Sequence, residues 1–340
     1  MLKKKNFLLL VFIILPLVIL SAVAFSKLEK AKNITFKADK FLQIVEPKKD
    51  NSFTLISTGD IGLVRYINLV IQQHKDPTYP FLEIAPYLKD ADITVTNLEG
   101  PLIKACSIII TGFKFCGDAA NVMGLTYAGI DAANLANNHT TNYGLDGLAE
   151  TAKHLKDASI IPFGQSQNPI EYINVKGKKI ALVGFVELGA SWQGLNNATI
   201  ENVTQLLKQA KQNSDIVIAT FHWGVEYTRK PTQNQIALAH AVIDAGGDLV
   251  LGNHPHWIQI EENYKGKFIT YGQGNTIFDQ DWSQETKEGV LYKFEYKGGK
   301  FTKIDEKYTI IEQNVQPRFA TDQESEKIKQ KIISGPQSLN

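Results

Sequence analysis

Several short stretches of this chain place oxygen and nitrogen donors directly after apolar runs. They are Asp60, Asn97 with Glu99, Asn138 with His139, His222, and His254 with His256. Carboxylate, amide and imidazole groups in that mixture suit zinc, manganese or iron, whereas calcium asks for an all-oxygen shell. Each stretch also has a plainer reading. Gly59-Asp60 can be a turn, Glu99-Gly100-Pro101 can close a strand, and Asn137-Asn138-His139-Thr140 can cap a helix. His222-Trp223 can be a packed core pair. His254-Pro255-His256 is the strongest single motif, because alternation around a proline in extended backbone sets two imidazoles in ligand geometry. Four of the seven histidines follow strand-like runs far apart in sequence. His74, His154 and His240 fall inside helix candidates and read as structural or exposed.

The elements behind these residues alternate. Strand candidates are Phe53 to Ser57, Ile93 to Val95, Ala132 to Ala136, Ile180 to Val186, Ile216 to Phe221 and Asp248 to Leu251. Amphipathic helix candidates lie between them at Ile61 to His74, Ala119 to Tyr127, Gly144 to Asp157, Ile200 to Lys211 and Thr232 to Ala245. Such alternation indicates an α/β domain, in which sites assemble at the carboxyl ends of strands. After Trp257 four consecutive short strands are expected, at Ile258 to Tyr264, Phe268 to Tyr271, Val290 to Tyr296 and Phe301 to Ile311. Turns at 263–266 and 297–300 separate two pairs of them. One domain over 51–312 covers these elements, followed by a tail over 313–340 with a helix candidate at Thr321 to Ile333.

The chain has 340 residues, 36 Lys plus Arg and 35 Asp plus Glu, a formal net charge of +1. That balance argues against a nucleic-acid groove and for no nucleic-acid partner. At the start, Lys3, Lys4 and Lys5 precede an apolar run from Phe7 to Leu20 that continues without charge to Phe25. A basic segment before an apolar stretch predicts export, by a transmembrane anchor or by a signal peptide removed near Ala24, within residues 1–25. The domain then works outside the cytoplasm, held at the cell membrane or secreted, and residues 26–50 are a lysine-rich linker. Cys106 and Cys116 agree with an oxidising compartment and predict a disulfide; two buried thiols or a soft metal site are the alternatives.

From Phe53 to Gln280 the chain resembles the CapA/PgsA family of poly-γ-glutamate capsule proteins, which is related to calcineurin-like metallophosphoesterases. The motifs occur in order: Gly59-Asp60 with Arg65, Thr96-Asn97-Leu98-Glu99, and Leu135 to Thr140 followed by Tyr143-Gly144. Then come Phe113 to Gly117 within that span, His222 to Tyr227 with Pro231 and Gln235, Gly252 to His256, and Tyr271 to Asn275 with Phe278. The resemblance implies a four-layer α/β/β/α sandwich. It also implies metal ligation by Asp60, Asn97, Glu99, Asn138, His222, His254 and His256, with one or two ions. His139 matches the histidine that contacts the transferred group. Gly62 stands where the superfamily usually carries a histidine ligand, and Asn97 near its bridging aspartate, so Glu99 is expected to supply the missing charge.

Two functions follow as expectations. One is a metal-dependent hydrolase of a phosphoester or a poly-γ-glutamate amide, with His139 or Glu226 as general acid or base and Arg65 holding an anionic substrate. The other is a non-catalytic, membrane-held component that binds the growing polyanion beside other capsule-synthase subunits. A scaffold or sensor that keeps only the fold is a third.

Overall fold

The structure, a computed structural model, describes residues 26–30, 51–104 and 106–334. Residues 26–30 are helical and form part of a separate unit from the domain that begins at Asn51. The apolar run expected to be an anchor or signal lies outside the described residues. Among those described, no helix is long and apolar enough to cross a membrane.

In chain order the strands begin with β1 Phe53–Ile61, β2 Ile93–Leu98, β3 Leu102–Ile103, β4 Gly117–Asp118, β5 Ala132–Asn134 and β6 Ile161–Phe163. They continue with β7 Glu171–Val175, β8 Lys178–Glu187, β9 Ile216–Trp223, β10 Leu249–Asn253 and β11 Glu261–Tyr264. The last are β12 Lys267–Thr270, β13 Asn275–Ile277, β14 Glu288–Lys297, β15 Lys300–Glu312 and β16 Gln316–Phe319. The domain's helices are α1 Arg65–His74, α2 Ala85–Leu88, α3 Val122–Ala128, α4 Gly144–Asp157, α5 Ile200–Asn213, α6 Gln233–Asp244 and α7 Asp322–Ser334.

Two mixed sheets organise these elements. The first runs β16-β15-β14-β1-β2-β5-β6, with β13 paired to the end of β1. The second runs β11-β12-β10-β9-β8-β7. Within the first, β1, β2, β5 and β6 are parallel; within the second, β8, β9, β10 and β12 are. Parallel strands covered on both faces read as continuous apolar runs, and the side chains of each run divide between two cores. Ile216 and Ile218 point inward to meet Leu55, Ile93 and Val95 of the other sheet. Val217, Ala219 and Phe221 point outward to Leu207 of α5 and Leu238 and Val242 of α6. On the far side, Ile56 and Ile61 pack with Ile67 and Ile71 of α1 and Leu155 of α4. Helices therefore cover the outer face of each sheet, and the layer order is α/β/β/α.

The expected strands and helices all appear, most within a few residues of their predicted bounds. The short elements β3, β4, β6, β7, β13 and β16 were not expected, being two to five residues long and below the reach of any periodicity. Gly298 and Gly299, at φ of 61° and 87°, make the two-residue turn joining β14 to β15. After residue 312, β16 pairs with β15 and Ile328 of α7 is buried in the inner core, so the chain packs into the same unit as far as Ser334.

Candidate metal centre

The sheet registers bring the donors together. Asp60 lies beside Asn97 across β1 and β2, Asn97 beside Asn134 across β2 and β5, and His222 beside Asn253 across β9 and β10. Both sheets end at the same rim. The loops beyond these ends add Glu99, Asn138 with His139, and His254 with His256. Asp60, Asn97, Glu99 and His222 are completely buried, and His254 and His256 nearly so.

The donor atoms fall into two groups that touch. One oxygen or nitrogen each from Asp60, Glu99 and His222 lie within 4.8 Å of one another, and so do those of Glu226, His254 and His256. His256 Nε2 joins the groups, 3.8 Å from Glu99 Oε1 and 4.0 Å from Glu226 Oε1. His254 Nδ1 is 3.1 Å from His222 Nε2, which also faces Asn138 Oδ1 at 2.9 Å. His139 Nε2 lies 3.9 Å from Glu99 Oε1.

Neighbouring amides settle which ring nitrogen is free. Asn275 donates its Nδ2 to Gln280 and to the Thr286 carbonyl, so its Oδ1 must accept from His256 Nδ1–H at 2.9 Å. His256 Nε2 is left with its lone pair toward the carboxylates. Asn142 Oδ1 accepts the Phe115 N–H, so it also accepts from His139 Nδ1–H at 3.2 Å. The His139 Nε2 lone pair then faces Glu99. Such outer partners orient metal-binding imidazoles.

Burial disfavours every charge here. It pushes Asp60 up to about 7, against the His254 N–H and the Asn97 amide that favour the carboxylate. Burial, then the charges of Asp60 and Glu226, hold Glu99 well above the usual carboxylate range. Burial lowers His139 to about 4 and His256 to about 3, and takes His222 and His254 well below the usual imidazole value. Glu226, at the more open lip, is raised by its partial burial. Both oxygens of Glu99 are buried without a hydrogen-bond partner. A doubly orphaned carboxylate at the centre of imidazole nitrogens is costly on its own, and a divalent cation satisfies all of these groups together. The donor set fits such an ion.

Several expected roles change. Asn97 was expected as a ligand, but its Oδ1 accepts from Asn134 and Asn137, and its Nδ2 points at Asp60 Oδ1 (2.8 Å) and His222 Nδ1 (3.2 Å). Its N–H₂ and not its oxygen therefore faces the cluster, where it orients Asp60 and His222. Arg65 was expected to hold an anionic substrate. Its guanidinium is instead engaged by Asp279 and the Gly112 carbonyl and lies over the Phe115 ring, 4.3 Å from its centroid. The extended backbone expected at His254-Pro255-His256 is absent: the two histidines have φ of 96° and 55°. That strained geometry aims both rings inward.

The Asn137-Asn138 pair divides two roles. Asn137 Oδ1 accepts from the His139 and Thr140 N–H groups, while Asn138 faces His222. At Gly62 a Cβ would lie 2.8 Å from the Phe278 ring, which takes up the space a side chain at this position would need. Asn134, Asn142 and Asp279 were missed, and Asn137 was read in its motif only as part of a possible helix cap. Asn275 and Phe278 belonged to a recognised motif without an assigned role.

A cleft of about 530 Å³ opens beside Asn138 and His254, walled by Glu187, Trp192, Val225, Thr232 and Asn234. Thr232 is fixed there by its capping box with Gln235 at the start of α6.

Stacked mixed sheets with acid, amide and imidazole donors at their shared rim fit a metallophosphoesterase-like fold. The crystal structure of a novel phosphatase from Mycoplasma pneumoniae has the same fold, with a TM-score of 0.50 and 13% identity over 77% of this chain and 94% of that one. Residues 54–280 match the family described as bacterial capsule synthesis protein PGA_cap, and the chain belongs to that family. The capsule biosynthesis protein CapA of Bacillus anthracis is 31% identical over 84% of this chain and 72% of its own length. The PGA biosynthesis protein CapA of Bacillus subtilis is 29% identical over 84% of this chain and 77% of its own.

Proposed function

We propose that this protein serves poly-γ-glutamate synthesis or export as a metal-dependent hydrolase that cuts an amide of the polymer outside the cytoplasm. The names of its CapA relatives support the polymer. The observation that carries the chemistry is the partnerless, buried carboxylate of Glu99 among Asp60, His222 and His256. Asp60, Glu99, Asn138, His222, His254 and His256 would hold the ion, with Glu226 at the lip. A bound divalent ion would activate water and polarise the scissile carbonyl.

The chain's own groups do the rest. His139 keeps its Nε2 lone pair toward the cluster, where it would accept a proton as general base, although the burial that lowers it to about 4 makes it a weak one. Phe115 holds that ring by stacking at a centroid distance of 3.7 Å. The residues lining the cleft include Glu187 but neither Lys nor Arg. Thr232 and Asn234 would therefore bind the polymer's amide backbone by hydrogen bonds, leaving its carboxylates toward solvent.

Export is supported by the basic and apolar start of the chain and by the disulfide joining Cys106 to Cys116. On this reading residues 1–25 direct the chain across the cell membrane, as an anchor or as a cleaved signal. Other synthase subunits would then meet it there.

Phe278 in the place of a ligand at residue 62 favours a second reading, polymer binding without turnover. One experiment separates them. The purified chain is assayed for bound manganese, zinc and iron and for cleavage of γ-glutamyl oligomers, beside His254→Ala. Hydrolysis predicts metal in the parent, its loss in the variant, and turnover abolished by chelation and restored by metal. Metal-loaded protein that binds polymer and releases no product establishes the second reading. Absence of metal in both proteins defeats the metal centre.

A further inference from the structure

Between Cys106 and Cys116 every residue from 107 to 114 is exposed, although this stretch holds Ile108, Ile109, Ile110 and Phe113. Phe113 is 82% exposed, and Ile108 and Ile110 are about half exposed. Large apolar side chains gathered on a protruding loop mark an interaction surface. This loop is tied at its base, so its side chains are held outward. The disulfide closes it, Asn142 accepts the Phe115 N–H at 2.6 Å, and Arg65 donates to the Gly112 carbonyl at 3.3 Å.

We propose that the disulfide-closed loop 106–116 is a lipid-contact site that seats the metal centre against an anionic bilayer. Charge selects lipid as the occupant. From residue 100 to 117 the charged residues are Lys104 and Lys114, with no Asp or Glu. Both lysines are exposed and bracket the apolar tip, and Lys114 Nζ sits 4.5 Å above the Tyr143 ring. An apolar tip enters the acyl boundary while lysines at its base meet phosphate headgroups.

The inference rests on the reading that the domain lies outside the cytoplasm beside a membrane, for which the apolar run from Phe7 to Phe25 is separate support. Residues 26–50, which could reach at most roughly 90 Å if fully extended, would tether the domain without choosing the face it turns to lipid. The loop makes that choice. Phe115 at its base stacks on His139, so lipid contact brings the proton-accepting side of the centre to the bilayer surface. A polymer crossing the membrane would pass that side first.

The test uses the full chain in vesicles containing an acyl-chain diazirine, with labelled residues located by mass spectrometry after reduction and digestion. Label on the peptide spanning 105–114 in phosphatidylglycerol vesicles, falling several-fold in phosphatidylcholine, is the expected result. The double variant Ile108→Ser, Phe113→Ser should lose that label while keeping the disulfide and the parent's metal content. Label on residues 7–25 alone overturns the loop assignment and leaves the membrane reading standing. Label on neither segment overturns both. Shielding of the loop that requires other membrane proteins overturns lipid as the occupant and points to a protein partner.

Discussion

Asn275 holds His256 by one ring nitrogen, accepting from Nδ1–H at 2.9 Å and turning Nε2 toward Glu99. Asn275 is not itself among the donors, but its Nδ2 also bonds Gln280 and the Thr286 carbonyl, so its removal tests orientation once urea denaturation shows the fold is kept. Asn275→Ala should weaken metal binding about 10- to 100-fold, the usual cost of losing an outer partner of a ligating histidine. Calorimetric titration of the stripped protein with manganese or zinc reads this directly. Unchanged affinity would place Nε2 outside the ligand set.

Metal uptake should release protons below neutral pH. Asp60 is raised to about 7 and so carries a proton in most stripped molecules at pH 6, and burial with the neighbouring charges shifts Glu99 in the same direction. His139, near 4, and His256, near 3, are already neutral there and have none to give. Binding must expel the carboxyl protons, so affinity falls as pH drops through 7, by about tenfold per unit for each proton displaced. Calorimetry in buffers of different ionisation enthalpy counts them. Zero release at pH 6 contradicts the carboxylate ligands.

Gly62 tests the departure from a fuller site. A Cβ there meets the buried Phe278 ring at 2.8 Å, and that ring also packs against Phe115 and His256. Gly62→Ala should cost about 1–3 kcal/mol by overpacking, read from urea denaturation. Adding Phe278→Leu should recover part of the loss. A neutral Gly62→Ala would show that the ring moves freely and does not bar a side chain at this position.

Removing the disulfide should be felt in stability and in the site. The bridge spans a sequence separation of 10, and Phe115 adjoins it. Cys106→Ser with Cys116→Ser should lose about 3 kcal/mol on the chain-entropy account, and reductant should reproduce the loss in the parent. If stability is unchanged, the Asn142 and Arg65 contacts alone close the loop.

What the sequence disclosed about the site follows from how far each feature reaches along the chain. That Asp60, His222 and His254 lie at strand ends on one rim was legible because an apolar strand that suddenly ends in a polar ligand type is a local pattern. The fold was legible for the same reason, since long buried strands and amphipathic helices repeat over ten residues or so. The orientation of Asn97 was not, because Asn134 and Asn137, from the next strand and the loop beyond it, decide which end of its amide faces the cluster. Arg65 looked available because its partner, Asp279, is 214 positions away. The left-handed backbone of His254 and His256 contradicts their residue type, and only packing of the finished rim holds it.

His139 offers the sharpest separation of chemistry from binding. Its Nδ1–H is given to Asn142, its ring is clamped by Phe115, and its Nε2 approaches Glu99 no closer than 3.9 Å. Its side chain can therefore be changed with the other donors left in place. If it accepts the proton during amide cleavage, His139→Gln should lower kcat by roughly 10²- to 10⁴-fold while bound metal stays at the parent level. Asn142→Ala should act through the same ring more mildly, because Nδ1–H loses its acceptor and the free lone pair is no longer confined to Nε2. Single-turnover rates with metal analysis on both variants decide the matter. Loss of metal in His139→Gln would make His139 a ligand, and full activity in a metal-replete His139→Gln would remove it from the reaction.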